Sequence, residues 1–162
     1  MKKKGIIAMG ILLLFFYSPK LRAQGSSPIQ IAVFNPLQIV NENTTIKGLR
    51  LNLIYGKNRG VNGLDIGFIN HTGRRHSTAV QFGFVGYAES DFTGLQLNLG
   101  NWTDGKFTGL QAGIVNYAVN MSGVQFGFVN YAETMNGLQI GLANIIKKDG
   151  AFPFFPIVNW SF

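Results

Sequence analysis

The chain has 162 residues, room for one domain and little more, with 14 Lys and Arg against seven Asp and Glu, and no cysteine. Without cysteine there can be no disulfide, Cys-ligated metal site or Cys nucleophile, and no lipid anchor of the kind attached at a signal-cleavage cysteine. The formal charge of +7 suggests a nucleic-acid partner only until its location is considered.

The chain begins with Lys2, Lys3 and Lys4, followed by an apolar run from Ile6 to Tyr17 and a small-residue exit at Ala23-Gln24. That layout predicts a secretory signal peptide over residues 1–23. The apolar run is short of the roughly 20 residues a membrane-spanning helix needs. Five basic residues (Lys2, Lys3, Lys4, Lys20, Arg22) lie before the cut, so nine remain against seven acids and the mature chain carries only +2. Nucleic acid is therefore not an expected partner. Export to the outer membrane or cell surface is the expected localisation.

From residue 24 to 162 the sequence reads as a single β-repeat domain. Units begin near residues 28, 48, 63, 79, 94, 109, 123 and 137, and a last strand-like segment covers 152–162. Gly109-Leu110-Gln111-Ala112-Gly113-Ile114-Val115-Asn116 and Gly123-Val124-Gln125-Phe126-Gly127-Phe128-Val129-Asn130 are representative. Numbering each unit from its Gly-Leu-Gln, positions 2, 4 and 6 are apolar, while 3, 5 and 8 are mostly Gln, Gly and Asn. This alternation is a strand signal.

Turn-forming segments such as 116–122 and 130–136 separate the strands. They predict an all-β, antiparallel up-and-down meander closing into a small β-barrel of about eight strands, or nine if the first unit is regular. A β-solenoid or soluble β-repeat sheet is the alternative. It is disfavoured here because a strand of about eight residues covers roughly 26 Å, too far for the remaining six or seven residues to retrace.

In a membrane barrel the Leu/Ile/Phe positions would meet lipid and the Gln/Gly/Asn positions would face inward. Val158, Trp160 and Phe162 would share one face of the last strand, resembling the insertion signal of outer-membrane barrels. That implies the barrel-assembly machinery and outer-membrane lipid as partners. Tyr87, Trp102, Tyr117 and Tyr131 follow the strand ends, where an aromatic girdle would lie. Arg50 and Asp65 occupy position 3 of adjacent units but would be offset in a meander, so pairing them would need a register slip.

The Gly-Leu-Gln-x-Gly-x-x-Asn repeats, with the lead-in Gly48-Leu49-Arg50-Leu51-Asn52-Leu53-Ile54-Tyr55-Gly56-Lys57-Asn58, resemble the bacterial surface-repeat protein family from about Pro28 to Ile146. That family holds exported proteins and lipoproteins of unassigned molecular function. The resemblance implies a cell-envelope location and carries no functional residues across.

His71 and His76 flank Gly73-Arg74-Arg75 in one loop. Catalysis would need a third group orienting the base, and no spacing supplies one, so no catalytic, cofactor or metal residue is assigned. Arg74, Arg75 and His76 are surface-loop contact candidates. The expected function is a structural or interaction protein of the outer membrane or cell surface, without catalytic activity or cofactor. The alternatives are a small-molecule binding or transport barrel, or a secreted soluble β-repeat binding protein.

Overall fold

A computed structural model describes residues 25–162; the expected signal segment lies outside the described residues. The chain is all-β, as its alternation predicts, but it coils instead of meandering. Strands β1 (Ser26–Phe34), β2 (Leu37–Gln38), β3 (Thr45–Asn58), β4 (Gly60–Thr72), β5 (Ser77–Ala88), β6 (Phe92–Lys148) and β7 (Phe154–Ser161) form one sheet in the order β2-β1-β3-β4-β5-β6-β7. The pairs β1–β3, β3–β4, β4–β5 and β5–β6 are all parallel. Only the terminal β2 and β7 pair antiparallel.

The architecture is a β-solenoid, so the antiparallel barrel expectation is corrected to its alternative. Each repeat unit is one coil, stacked in register on the last: Gly63 beside Ala79, Leu64 beside Val80, Asp65 beside Gln81. The long β6 winds through several coils without leaving the sheet, its equivalent glutamines stacking at separations of 14 and 15 residues.

The coil-length objection fails because one unit is not one long strand. In the coil from Gly109, the inward residues are Gln111, Asn116, Ala118 and Met121. Inward parity therefore flips between positions 5 and 8, leaving two adjacent outward residues, Ile114 and Val115, at a corner. A second flip between Ala118 and Met121 makes the opposite corner. Each coil is thus two short arms joined by two bends, and neither arm has to retrace a full-length strand.

The interior has three zones. At the second corner, Ile46, Val61, Phe92, Phe107, Met121 and Met135 pack with Ala88, Ala118, Ala132 and Ile146 in an apolar core, where Phe92 and Phe107 stack at 5.7 Å. Position 3 fills the middle with a buried ladder: Gln96 donates to Gln81, Gln111 to Gln96, Gln125 to Gln111 and Gln139 to Gln125, at 2.8–3.1 Å. Glutamines 111, 125 and 139 also donate across the coil to the carbonyls of Tyr117, Tyr131 and Ile145. At the first corner, Asn101, Asn116, Asn130 and Asn144 form a second ladder at 2.8 Å. Asn130 and Asn144 also donate to the carbonyl three residues back, bracing the bend.

Every Gln N–H in the ladder points toward the N-terminus, so its donor end falls on Asp65, where Gln81 Nε2 lies 2.8 Å from Oδ2. Arg50 closes the row. Its Nε and Nη2 reach the two Asp65 oxygens at 2.7 Å each, with both side chains fully buried. The offset expected in a meander is therefore corrected; parallel stacking sets Arg50 directly beside Asp65.

Candidate functional site

With the polar positions turned inward, the apolar ones lie outside. Position 6 carries Leu53, Phe68, Phe84, Leu99, Ile114, Phe128 and Leu142 as one exposed stripe along the solenoid. Phe68 and Phe84 stack within it at 4.2 Å. Val85, Val115 and Val129 extend it at position 7, and Ile66, Phe82 and Phe126 flank it at position 4. A continuous exposed apolar surface of this kind is the candidate interaction surface of the molecule.

Beyond that corner, position 9 stacks an aromatic row: His71 and Tyr87 at 4.7 Å, Trp102 and Tyr117 at 3.9 Å, Tyr117 and Tyr131 at 5.3 Å. The rings of Trp102, Tyr117 and Tyr131 cover one another face to face, while His71 and Tyr87 meet at a tilt of 50°. Asp104 takes hydrogen bonds from both the Tyr87 hydroxyl at 2.6 Å and the Trp102 indole at 2.8 Å. The hydrogen bond to Asp104, together with burial, pushes the Tyr87 phenol up to about 12. Position 11, one step further along the arm, holds Glu89, Asp104, Val119, Glu133 and Lys147.

Stacking of the first coils assembles one polar cluster. Glu89 Oε1 lies 2.9 Å from Lys57 Nζ and 2.8 Å from His71 Nε2, while the Tyr55 hydroxyl lies 2.7 Å from His71 Nδ1. Burial lowers the His71 pKa against the opposing pull of Glu89. The neutral ring then donates from Nε2 to Glu89 and accepts from Tyr55 at Nδ1. Burial raises the Glu89 pKa, but hydrogen bonds from Lys57 and His71 outweigh it and leave the carboxyl below its ordinary value. Lys57, His71 and Glu89 are far apart in sequence, and only coil stacking brings them together.

Of the loop candidates, Arg74 is 93% exposed with its Nε 3.7 Å from Glu89. Arg75 is exposed, and His76 contacts only Thr78 Oγ1 through its side chain, at 3.2 Å. The loop thus touches the edge of the Glu89 cluster through Arg74 alone.

Val158 and Trp160 share the outer face of β7, where Asn159 and Ser161 point inward, and Phe162 follows just past its end. That strand lies antiparallel on the last coil, Asn159 beside Gln139. It caps a solenoid and closes no barrel, which removes the structural ground for reading these three residues as a barrel-insertion signal, and with it the ground for the assembly machinery as a partner. Among the described residues no group of three or more His, Asp or Glu is placed to hold a metal ion. Comparison with protein families, curated proteins and solved structures gives no match.

Proposed function

We propose that this protein is an exported, non-catalytic structural or interaction solenoid of the cell envelope, held on outer-membrane lipid by its apolar outer surface. The observation that carries this reading is the inversion of the coil: Gln and Asn are buried in ladders, while the exposed stripe at positions 4, 6 and 7 is apolar from coil to coil. Burying polar side chains costs free energy unless each is hydrogen-bonded. The ladders offset most of that cost by satisfying one coil with the next, with Gln139 Oε1 at the last rung left unpaired, which leaves the apolar side chains free to meet a partner.

The amino-terminal signal layout and the resemblance to surface-repeat proteins agree with an envelope location. A transport role would need a lumen, and the interior here is occupied by the Gln and Asn side chains and the apolar core. The test is fractionation of expressing cells, followed by flotation of purified protein with phospholipid vesicles. Recovery with the envelope and co-flotation support the reading. A protein that stays in the soluble fraction and does not float is instead a secreted soluble β-repeat binding protein.

A further inference from the structure

We infer that the solenoid lies edge-on in a single lipid leaflet, with the corner at positions 6 and 7 inserted and the aromatic row at the headgroup level. This rests on the lipid reading above and specifies which surface enters and how deeply. The corner is the most exposed apolar part of the coil: Leu53 is 71% exposed, Leu142 67% and Phe128 59%.

Polarity rises away from that corner along both arms. On one side, valines at position 7 give way to Tyr and Trp at position 9 and then, Val119 excepted, to Glu89, Asp104, Glu133 and Lys147 at position 11. On the other side, Leu and Phe at positions 4 and 2 give way to Thr93, Thr108, Ser122 and Asn136 just before the coil glycine. Four residues separate position 7 from position 11, about 13 Å at 3.3 Å each. A monotopic element buries its apolar face by roughly 5–10 Å. Insertion by that amount immerses positions 6 and 7, sets the Tyr and Trp tips at the interface where such rings concentrate, and leaves position 11 in water.

The shape of the corner selects lipid over a second copy of the chain. Two adjacent outward residues at a bend make a convex ridge, and two such ridges meet along a narrow line. A stable protein interface needs roughly 1,200–2,000 Å² of buried surface, which flat faces supply and crossed ridges do not. Lipid conforms to a ridge without that demand.

The chain has no cysteine, so single reporters can be placed cleanly. Phe128→Cys at the ridge, Val124→Cys at position 2 and Glu133→Cys at position 11 would each carry an environment-sensitive fluorophore, read against lipids with quenchers at graded depth. Strong quenching is expected at 128 alone, since 124 and 133 each lie four residues, about 13 Å, from the nearest ridge position and stay at or above the interface. Phe128→Asp should weaken vesicle binding about tenfold or more while leaving the circular dichroism of this outward position unchanged. Vesicle binding with 124 as deep as 128 would overturn the edge-on geometry while leaving the lipid reading intact. Vesicle binding unaffected by Phe128→Asp would do the same. No binding by the unsubstituted protein defeats the lipid reading itself. A concentration-dependent dimer lost in Phe128→Asp would assign the ridge to a second copy instead.

Discussion

At the scale of the residue, the least replaceable contact is Arg50 with Asp65. A fully buried ion pair offers little net stability over an apolar pair of the same shape, but removing one partner strands a charge. Asp65→Ala should cost about 3–5 kcal/mol, visible as a lower urea midpoint, and Arg50→Met with Asp65→Leu should recover most of that loss. A double variant no more stable than Asp65→Ala would mean that the pair also fixes coil register. The loss falls on Gln81 as well, since its side-chain amide donates to the same carboxylate.

His71 and Glu89 give the fold a pH dependence whose sign follows from their environments. Both have lowered pKa values in the folded state. Both therefore stabilise the fold above their ordinary values, and that stability is lost as pH falls toward and through the folded values. The His71 contribution begins to fade below 6.5, and that of Glu89 below 4.5. Chemical denaturation between pH 7.5 and 4 should show stability declining in that order. His71→Gln should flatten the upper part of the curve and leave a reduced lower limb, since Lys57 still holds Glu89. An upper limb that persists in His71→Gln would assign it elsewhere.

At the scale of the element, the coil obeys a rule that its exceptions reveal. Most coils place Gly at position 5 and Asn at position 8, as in Gly113 with Asn116 and Gly127 with Asn130. The coil of β5 has Gly83 and Gly86 instead, and the next coil carries an extra Asn98 at position 5. Asn98 reaches back to Gln81 Oε1 at 3.3 Å and donates to Asn101 at 2.7 Å, occupying the space Gly86 leaves open. A side chain at Gly86 would meet Gln81 and Asn98. Gly86→Asn and Asn98→Gly should each destabilise, and the double variant should be more stable than either, with a coupling of about 1–3 kcal/mol. Additive losses in a thermal-denaturation cycle would show that the two positions do not share one space.

The repeat unit and the strand alternation were legible in the sequence; the direction of the apolar positions was not, because alternation separates two faces without saying which one is buried. The choice between barrel and solenoid was misread, although the spacing of the polar positions carried a sign of it once their burial is known. A strand crossing a barrel keeps one parity throughout, whereas Gln111 and Asn116 are five residues apart and both inward, which requires a bend between them. Gly109 carried a further sign. Its φ of 131° places it outside ordinary strand geometry, and a side chain there would strike the Gly94 carbonyl of the coil below. Recurrence of Gly at that position thus reports close coil-on-coil approach. The Glu89 cluster was not legible, because residues 57, 71 and 89 meet only once the parallel register is known.

At the scale of the whole molecule, a stack of coils has two open ends, and each exposes unpaired backbone that could template another chain. Both ends are closed by a reversal of direction: two-residue β2 lies antiparallel on β1, and β7 lies antiparallel on the final coil. Pro156 lies within β7 at a register shift against β6 and has no N–H to offer another strand. Deleting residues 152–162 should leave most of the β-sheet circular dichroism intact and produce end-to-end oligomers by light scattering. A truncated chain that remains monomeric would place the barrier to polymerisation in the coils themselves.

In-register stacking has a consequence for inheritance. Because each coil satisfies its neighbours with the same Gln and Asn contacts, duplicating or losing one whole unit preserves the cross-section and changes only the span of the molecule. A one-residue change within an arm would instead exchange the buried and exposed sets, and only the bends absorb such differences, as the 14- and 15-residue spacings show. Selection can therefore lengthen or shorten the chain in whole-coil steps while its chemistry stays constant, and the number of coils becomes the trait on which grip strength is tuned.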